Sequence, residues 1–586
     1  MCPTDPRAAP VCPADTGTPP HLPGFRGRER GTEVAPLHAM QGAPSESAGP
    51  TPSDGLRGLR ENYGVDVISG FLVFLIALPL CLGISMASGY PPFSGVVTAI
   101  VGGVVVTFMS GAPMTIKGPA AGLIVIAVGA VEDLGRGDAA HGYKLALAVG
   151  VMAGVTQIGF GLLRAGRLGD FFPQSAIHGM LAAIGIIIAA KQTHVALGVK
   201  PMAHGPVGLI TEIPSSLARA NPEIAVIGVL SFVILASWPR VAPRLSRRVP
   251  GPLVVLLASI PLGVFFDLNH AHAYAFAGVH TVGPDYLVAV PASVTSIFAF
   301  PDFSQALSAT SLQYVIMFAL VGSIESSLSA KAVDTMDPWR RKSNLDRDLV
   351  AVGIGNTIAS LLGGLPMISE IVRSSANVQN GARTRWANFF HGAFLLACVA
   401  LIPAFVHRIP LAALAAMLVY TGLRLASPRE LAHAWKIGKD QAAIFVVTVV
   451  VTLATDLLLG VAAGVALKAL IHVLRGVPAL GLFRAKVVIE KDGGRTIARV
   501  RGAATFANYL GLRAHLAAIP MTENVVVDLS EAVVVDHTVQ SHLASLAEDR
   551  AALGGRLEVH GLHGHAPTST HPLASRVRRE RRVAPA

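Results

Sequence analysis

Between residues 66 and 474 the chain is a succession of apolar runs long enough to cross a lipid bilayer, parted by short polar loops. A hydrocarbon core of about 30 Å takes about 20 apolar residues in a helix. Twelve runs qualify: 66–88, 94–110, 143–163, 174–191, 222–238, 250–267, 314–330, 346–363, 386–406, 410–425, 441–456 and 458–474. Two shorter pieces, 118–131 and 373–381, bring the expected crossings to fourteen. The second reads Ser374-Ser375-Ala376-Asn377-Val378-Gln379-Asn380 and is too polar to face lipid, so it must be enclosed by protein and line a cavity. Only 14% of the 586 residues are charged, against about a quarter in soluble domains. The net charge of +11 does not mark a nucleic-acid surface, because the basic residues fall between apolar runs rather than on one soluble face.

Those basic residues set the orientation. With the N-terminus inside, the inner loops hold Arg164 and Arg167; Arg240, Arg244, Arg247 and Arg248; Arg340, Arg341 and Lys342; Arg383 and Arg385; and Arg424, Arg429, Lys436 and Lys439. One outer loop has Glu132, Asp133 and Asp138 with a lone Arg136, and 268–313 has no Lys or Arg. This alternation follows the positive-inside rule and places both termini in the cytoplasm of an inner (plasma) membrane protein. Residues 1–60 are rich in Pro, Gly, Ala and Arg, lack a signal-peptide core, and read as a disordered cytoplasmic tail in which Met40 offers an alternative start. Cys2, Cys12, Cys81 and Cys398 form neither a disulfide framework nor a metal spacing.

One motif occurs twice. Gly111-Ala112-Pro113-Met114 returns as Gly364-Leu365-Pro366-Met367, an offset of 253 residues, and each copy opens a short broken segment. Four residues after each proline stands an ionisable residue, Lys117 or Glu370. The first spans of the two halves begin near 66 and 314, a similar offset. Two halves of seven crossings enter the membrane with opposite topology, and paired interruptions in such halves point to the binding site of a secondary transporter. Helices that begin in mid-membrane aim unpaired N–H groups and positive dipole ends into a cavity suited to an anion.

Past residue 484 the pattern becomes soluble. Arg495–Val500 alternates like a strand, 507–519 and 538–553 read as helices, and Val525–Leu529, Val533–Val535 and Leu557–Val559 as short strands. That order suggests a small α/β domain over 485–565. The His-rich and then Arg-rich segment 566–586, with His560, His563 and His565 before it and His571 within it, reads as a disordered basic tail rather than a metal site.

Several stretches together resemble the SulP family of inorganic anion transporters: Asp66–Pro92, Phe171–Gln192, Ala319–Ala330, Asp346–Pro366, and Ile371–Thr384 with its IVRSSAN run. KGPAAGL at 117–123 and IVRSSAN resemble a bacterial branch associated with carbonic anhydrases, a hint of bicarbonate. The resemblance implies an α-helical polytopic membrane protein of fourteen segments in a 7+7 inverted repeat with core and gate domains over 61–480. It also implies a cytoplasmic STAS domain at 485–565, a homodimer, and a STAS-bound cytoplasmic partner. The usual Asp-Ser-Ser turn of that domain reads Asp536-His537-Thr538 here, which puts phospho-regulation at the turn in doubt.

By the same resemblance the anion lies between the tips of the third and tenth segments, at Lys117, Gly118, Pro119, Ala120 and Ala121 and at Arg373, Ser374 and Ser375. Ala77, Leu80 and Ile84 face the cavity from the first span. Pro119 suits a helix start, where its missing N–H is not needed. Arg373 is the fixed positive charge, with an ion pair to Glu370 or Glu325 as its plainer role. Lys117 either contacts the anion, snorkels or pairs with Glu370. Glu325, an acid inside an apolar span, is a functional candidate by its cost alone. The formal charges of Lys117, Glu325, Glu370 and Arg373 cancel, so an arriving anion makes the site negative and favours a coupled Na+ or H+, or exchange. His178 reads as a helix-contact residue and Lys191 as a snorkelling one. The function implied is alternating-access transport of bicarbonate or sulfate. A nucleobase carrier of the same architecture and a non-transporting sensor are the alternatives. No cofactor or enzymatic ligand set is expected.

Overall fold

The computed structural model describes residues 50–166, 172–203, 205–246, 249–276, 278–289, 297–401, 403–484, 486–492 and 495–579. Arg167, Arg247, Arg248, the tail 1–49 and residues 580–586, all weighed above, lie outside them.

The first half opens with α1 (Gly55–Ala87), then α2 (Ser94–Val101), which passes through a π-helical turn into α3 (Thr107–Met109). Strand β1 (Ile116–Pro119), a 3-10 turn and α4 (Ile124–Gly135) form the first broken segment. Helices α5 (Ala139–Leu162), α6 (Gln174–Ala196), α7 (Pro206–Ala218), α8 (Pro222–Val241) and α9 (Gly251–Phe265) follow, and then a hairpin of β2 (His272–Ala275) and β3 (Val279–Val282). The second half holds α10 (Ala309–Met336), α11 (Leu345–Leu361), β4 (Met367–Glu370) with α12 (Ile371–Gln379), α13 (Trp386–Leu401) and the short α14 (Pro403–His407). It ends with α15 (Leu411–Leu425), α16 (Pro428–Ile437), α17 (Lys439–Ala454) and α18 (Leu457–Leu474). Among the described residues seven helical stretches, with α15 and α16 counted as one over Leu411–Ile437, are long and apolar enough to cross a membrane, and α9, α13 and α2–α3 are shorter apolar pieces.

The halves interlock as an inverted repeat demands. Helix α1 packs on α13 and its counterpart α10 on α5; α6 packs on α17 and its counterpart α15 on α8. Small residues bring the axes together, as membrane helices require. A methyl on Gly103 would strike the backbone of Gly392, and one on Gly185 the carbonyl of Gly422. A separate group forms around the α6–α15 pair, and the broken segments sit within the other group.

Three departures from the sequence reading stand out. Helix α1 starts at Gly55, capped by the Asp54 carboxylate on the Gly55 N–H, so residues 55–60 are not part of a disordered tail. Helix α7 and the β2–β3 hairpin fall in stretches read as loops. Finally, the C-terminal sheet runs past 565.

That sheet contains β5 (Lys486–Asp492), β6 (Arg495–Ala504), β7 (Val525–Asp528), β8 (Ala532–Val535), β9 (Leu557–His560), β10 (His565–Pro567) and β11 (Arg576–Arg578), with α19 (Tyr509–Ala517) and α20 (His537–Ala552). The order is β10-β11-β8-β6-β7-β9, with β5 also on β6. Strand β11 pairs antiparallel with both β10 and β8. Residues 566–579 are therefore part of the folded domain, contrary to the disordered tail expected from their composition. Their apolar content is low, but backbone pairing to a buried β8 supplies what composition does not. Membrane region and sheet belong to one compact unit.

Candidate functional site

The two broken segments meet. Strands β1 and β4 pair antiparallel, with Ile116 opposite Glu370, Lys117 opposite Ser369, Gly118 opposite Ile368 and Pro119 opposite Met367. Each strand then launches a half-helix, α4 through its 3-10 turn and α12 directly. The expected helix starts near Gly118 and Arg373 are thus shifted: four strand residues precede each tip. A two-stranded ladder in mid-membrane satisfies some backbone groups, and polar side chains satisfy others. Asn356 of α11 holds both the N–H and the carbonyl of Met367. Thr98 donates to Leu365 O (2.8 Å), Tyr143 to Gly363 O (2.8 Å) and Asn377 Nδ2 to Met114 O (3.1 Å). Ser374 Oγ accepts the Ile116 N–H (2.8 Å), and Asn388 Oδ1 the Lys117 N–H (3.3 Å).

Lys117 is fully buried and fully engaged. Its ammonium lies 2.7 and 2.9 Å from the two Asp348 oxygens, 2.8 Å from Thr115 Oγ1 and 2.5 Å from Ser369 Oγ. Ser110 Oγ donates to the same carboxylate at 2.6 Å. The pairing with Glu370 expected from sequence is replaced by Asp348, and Lys117 does not snorkel. Asp348 is 231 residues away and opens α11, so spacing along the chain gave no sign of it.

The first half-helix tip faces two acids. A methyl on Gly122 would overlap the Glu325 carboxylate, and Glu370 Oε1 accepts the Ala121 N–H at 3.4 Å. Glu325 and Glu370 are 6% and 8% exposed. Glu325 Oε2 has no hydrogen-bond partner, and among the described residues neither acid is in an ion pair. Arg373 is 1% exposed and lies beside Gly118 of β1. A methyl on Gly118 would overlap its NH1, and Nε, NH1 and NH2 have no hydrogen-bond partner. The expected Arg373–glutamate ion pair is absent, although Arg373 still acts on Glu370 through the Coulomb field. With Asp348 included, two cations stand against three carboxylates, so the cancelled charge of the sequence reading becomes one net negative charge.

The remaining candidates are scattered around this junction. Ser374 is buried against β1, whereas Ser375 is half-buried and accepts from Gln379 Nε2 (2.9 Å). Ala120 is buried, Ala121 half-buried, and Pro119 closes the ladder. Ala77 lies in an apolar cluster with Phe74, Cys81, Ala99 and Leu414, and Leu80 packs on it from a half-buried position. His178 pairs with Glu430 at 2.9 Å. Besides Asp348, a second buried group escaped the sequence reading: His391 of α13, 0% exposed, with both ring nitrogens unpartnered. It follows Asn388 by one helical turn, a spacing that flags the shared face.

Inverted halves, mid-membrane strand ends and half-helices facing buried ionisable groups define a membrane carrier of the secondary-transporter class. The family model described as "Sulfate permease family" matches residues 64–448. The chain belongs to that family, whose members are anion transporters and not enzymes. A putative sulfate transporter, YvdB of Bacillus subtilis, is 28% identical over 71% of this chain and 74% of its own length. The bicarbonate transporter BicA of Synechocystis is 25% identical over 69% of this chain and 68% of its own. Among solved structures, the transmembrane domain of a cyanobacterial BicA aligns with a TM-score of 0.59 at 22% identity, covering 69% of this chain and 97% of that one. Murine Solute Carrier 26 family member A9, in its inward-facing state, aligns with a TM-score of 0.61 at 15% identity, covering 84% and 85%. These likenesses support the fourteen-segment inverted-repeat fold.

Proposed function

We propose that the protein carries a small inorganic oxyanion, bicarbonate or sulfate, across the inner membrane by alternating access, and that a proton or sodium ion travels with it. The anion site lies between the ends of β1 and β4 and the tips of α4 and α12, with Arg373 supplying positive charge and Ser374 and Ser375 flanking it. The single observation behind the coupling is the crowding of Glu325 and Glu370 at the tip of α4. A dipole end there attracts an anion, yet two buried acids already occupy it, neither of them in an ion pair. An oxyanion and two carboxylates cannot share so small a volume of low dielectric unless a cation neutralises part of the charge.

Uptake of labelled bicarbonate and labelled sulfate into proteoliposomes tests this reading. The expected result is accumulation of one anion that needs an inward proton or sodium gradient. Accumulation indifferent to both gradients overturns the coupling, and no accumulation of either anion overturns the substrate class. The family resemblance also suggests a homodimer and a cytoplasmic STAS-like C-terminal domain. Mass measured in lipid nanodiscs tests the first. Protease accessibility of the domain in sealed, oriented vesicles tests its side of the membrane.

A further inference from the structure

The membrane region meets the C-terminal sheet along a buried polar seam. Lys468 and His472, one turn apart on α18, are each 1% exposed. Lys468 Nζ donates to Thr538 Oγ1 at 2.8 Å and lies 3.4 Å from Asp536 Oδ2, and His472 Nε2 is 3.4 Å from the same oxygen. Asp536 also accepts the Val539 N–H (2.8 Å), capping α20, and the Phe506 N–H (2.6 Å). Burial pushes this carboxyl up, but Lys468 and His472 outweigh burial and hold it well below the usual carboxylate range.

Three histidines continue the seam outward. His537 Nδ1 bonds Leu573 O at 2.8 Å, and His571 Nδ1 accepts the Leu573 N–H at 3.2 Å. The His571 ring lies 6.3 Å from that of His537 and 6.2 Å from that of His433 on α16, nearly perpendicular to both. Ser569 Oγ donates to Ile437 O (2.7 Å) and Lys436 O (3.2 Å), the last carbonyls of α16. His537 is 5% exposed, His571 half-buried and His433 exposed, so the file runs from a dry end to a wet one.

Few negative charges serve this file. Asp536 is shared by Lys468 and His472, Asp440 is paired with Arg475 at 3.0 Å, and Glu430 on α16 faces His178. Burial pushes His537 below the ordinary imidazole value; the Leu573 carbonyl and Asp536 oppose the shift, Lys468 and His571 add to it, and the net direction is down, while burial and then His433 push His571 down as well.

We infer that the file His433–His571–His537 is a proton-sensitive latch that docks the C-terminal domain on α16 when neutral and releases it when the imidazoles charge. Protonation sets like charges side by side, with Lys468 at the inner end and Asp536, the carboxylate that acts on His537, already shared with Lys468 and His472. The sign follows from linkage. His537 and His571, held low when docked, take protons more readily undocked, so docking is complete above about pH 6.5, the ordinary imidazole value, and weakens as pH falls below it. The inference does not depend on which ion is carried, and its test does not measure transport.

Hydrogen exchange of the full-length protein in lipid nanodiscs, followed over α16 and 565–575 and corrected for intrinsic pH dependence, provides that test. Exchange in both segments should rise roughly tenfold or more between about pH 7.5 and about pH 5.5, as expected of a histidine switch. The double variant H433Q/H571Q should stay protected at the lower pH. Equal protection of the native protein at both values, or the same rise in the variant, overturns the latch. If the double variant is already exposed at the higher pH, H433Q alone decides, since its ring is on the surface. Its release midpoint should fall, and an unchanged midpoint overturns the inference.

Discussion

At the residue scale the membrane core sorts its charges into two kinds. Lys117 and Asp348 spend theirs on each other and on three hydroxyls, Thr115, Ser369 and Ser110. Removing one partner leaves the other charged and buried, which costs about 3–5 kcal/mol. Lys117→Met should therefore lower the melting temperature sharply, while the double variant K117M/D348L should recover most of the loss. Recovery absent in the double variant would mean that the hydroxyls, not the ion pair, hold this place. Glu325, Glu370 and Arg373 are the other kind: buried, with Arg373 unpartnered and neither acid in an ion pair. Glu325→Gln should abolish the dependence of uptake on the proton or sodium gradient while leaving anion binding measurable. Unchanged coupling in that variant would remove Glu325 from the role. Gly122→Ala should displace the Glu325 carboxylate, whose far end fills the volume of the new methyl, and so slow uptake in the proteoliposome assay; an unchanged rate would mean that the position of that carboxylate does not matter.

Among the elements, the long helices were legible and the short strands were not. Apolar runs of about 20 residues leave the chain no alternative in lipid, so α5, α6, α8 and α10 fall close to where their runs lie. Strands β1 and β4 are four residues each, carry Gly, Pro, Lys and Glu, and owe their existence to each other across some 250 positions. No local pattern encodes such a pairing. The recurrence of Gly-x-Pro-Met located the junction without revealing its form. Asn356 shows how distant side chains complete it: Asn356→Ala leaves the Met367 N–H and carbonyl without that partner, at a cost of about 1–3 kcal/mol. Thermal unfolding in detergent measures it. A much smaller loss would mean that water or a neighbour replaces the amide. The candidate site was legible as to place, from Arg373 and the twin motifs, but not as to balance. Asp348 and His391 lie on helices whose faces the sequence leaves ambiguous.

For the molecule as a whole, the C-terminal domain touches both helix groups. Its deep contact is with α18 through Lys468, while Lys342, in the loop before α11, reaches Asp549 of α20 at 2.6 Å with 56% of its own side chain exposed. An exposed pair of this sort contributes about 0–1 kcal/mol. Lys342→Ala should leave the domain docked, whereas Asp536→Asn, which keeps an acceptor for the cap of α20 but strips Lys468 and His472 of their carboxylate, should loosen it even at neutral pH. Protease sensitivity of the segment 476–486 separates the two outcomes.

The position of β11 carries a last consequence. It lies inside the ladder, between β10 and β8, although it comes from the far end of the domain. A fragment ending at 565 would keep α20 and most of the apolar core yet leave β8 with a row of bare amides and carbonyls. Such an open margin invites other chains to pair with it. Truncations placed where composition turns basic should therefore clump on release from the membrane, and those that retain Arg578 should remain dispersed.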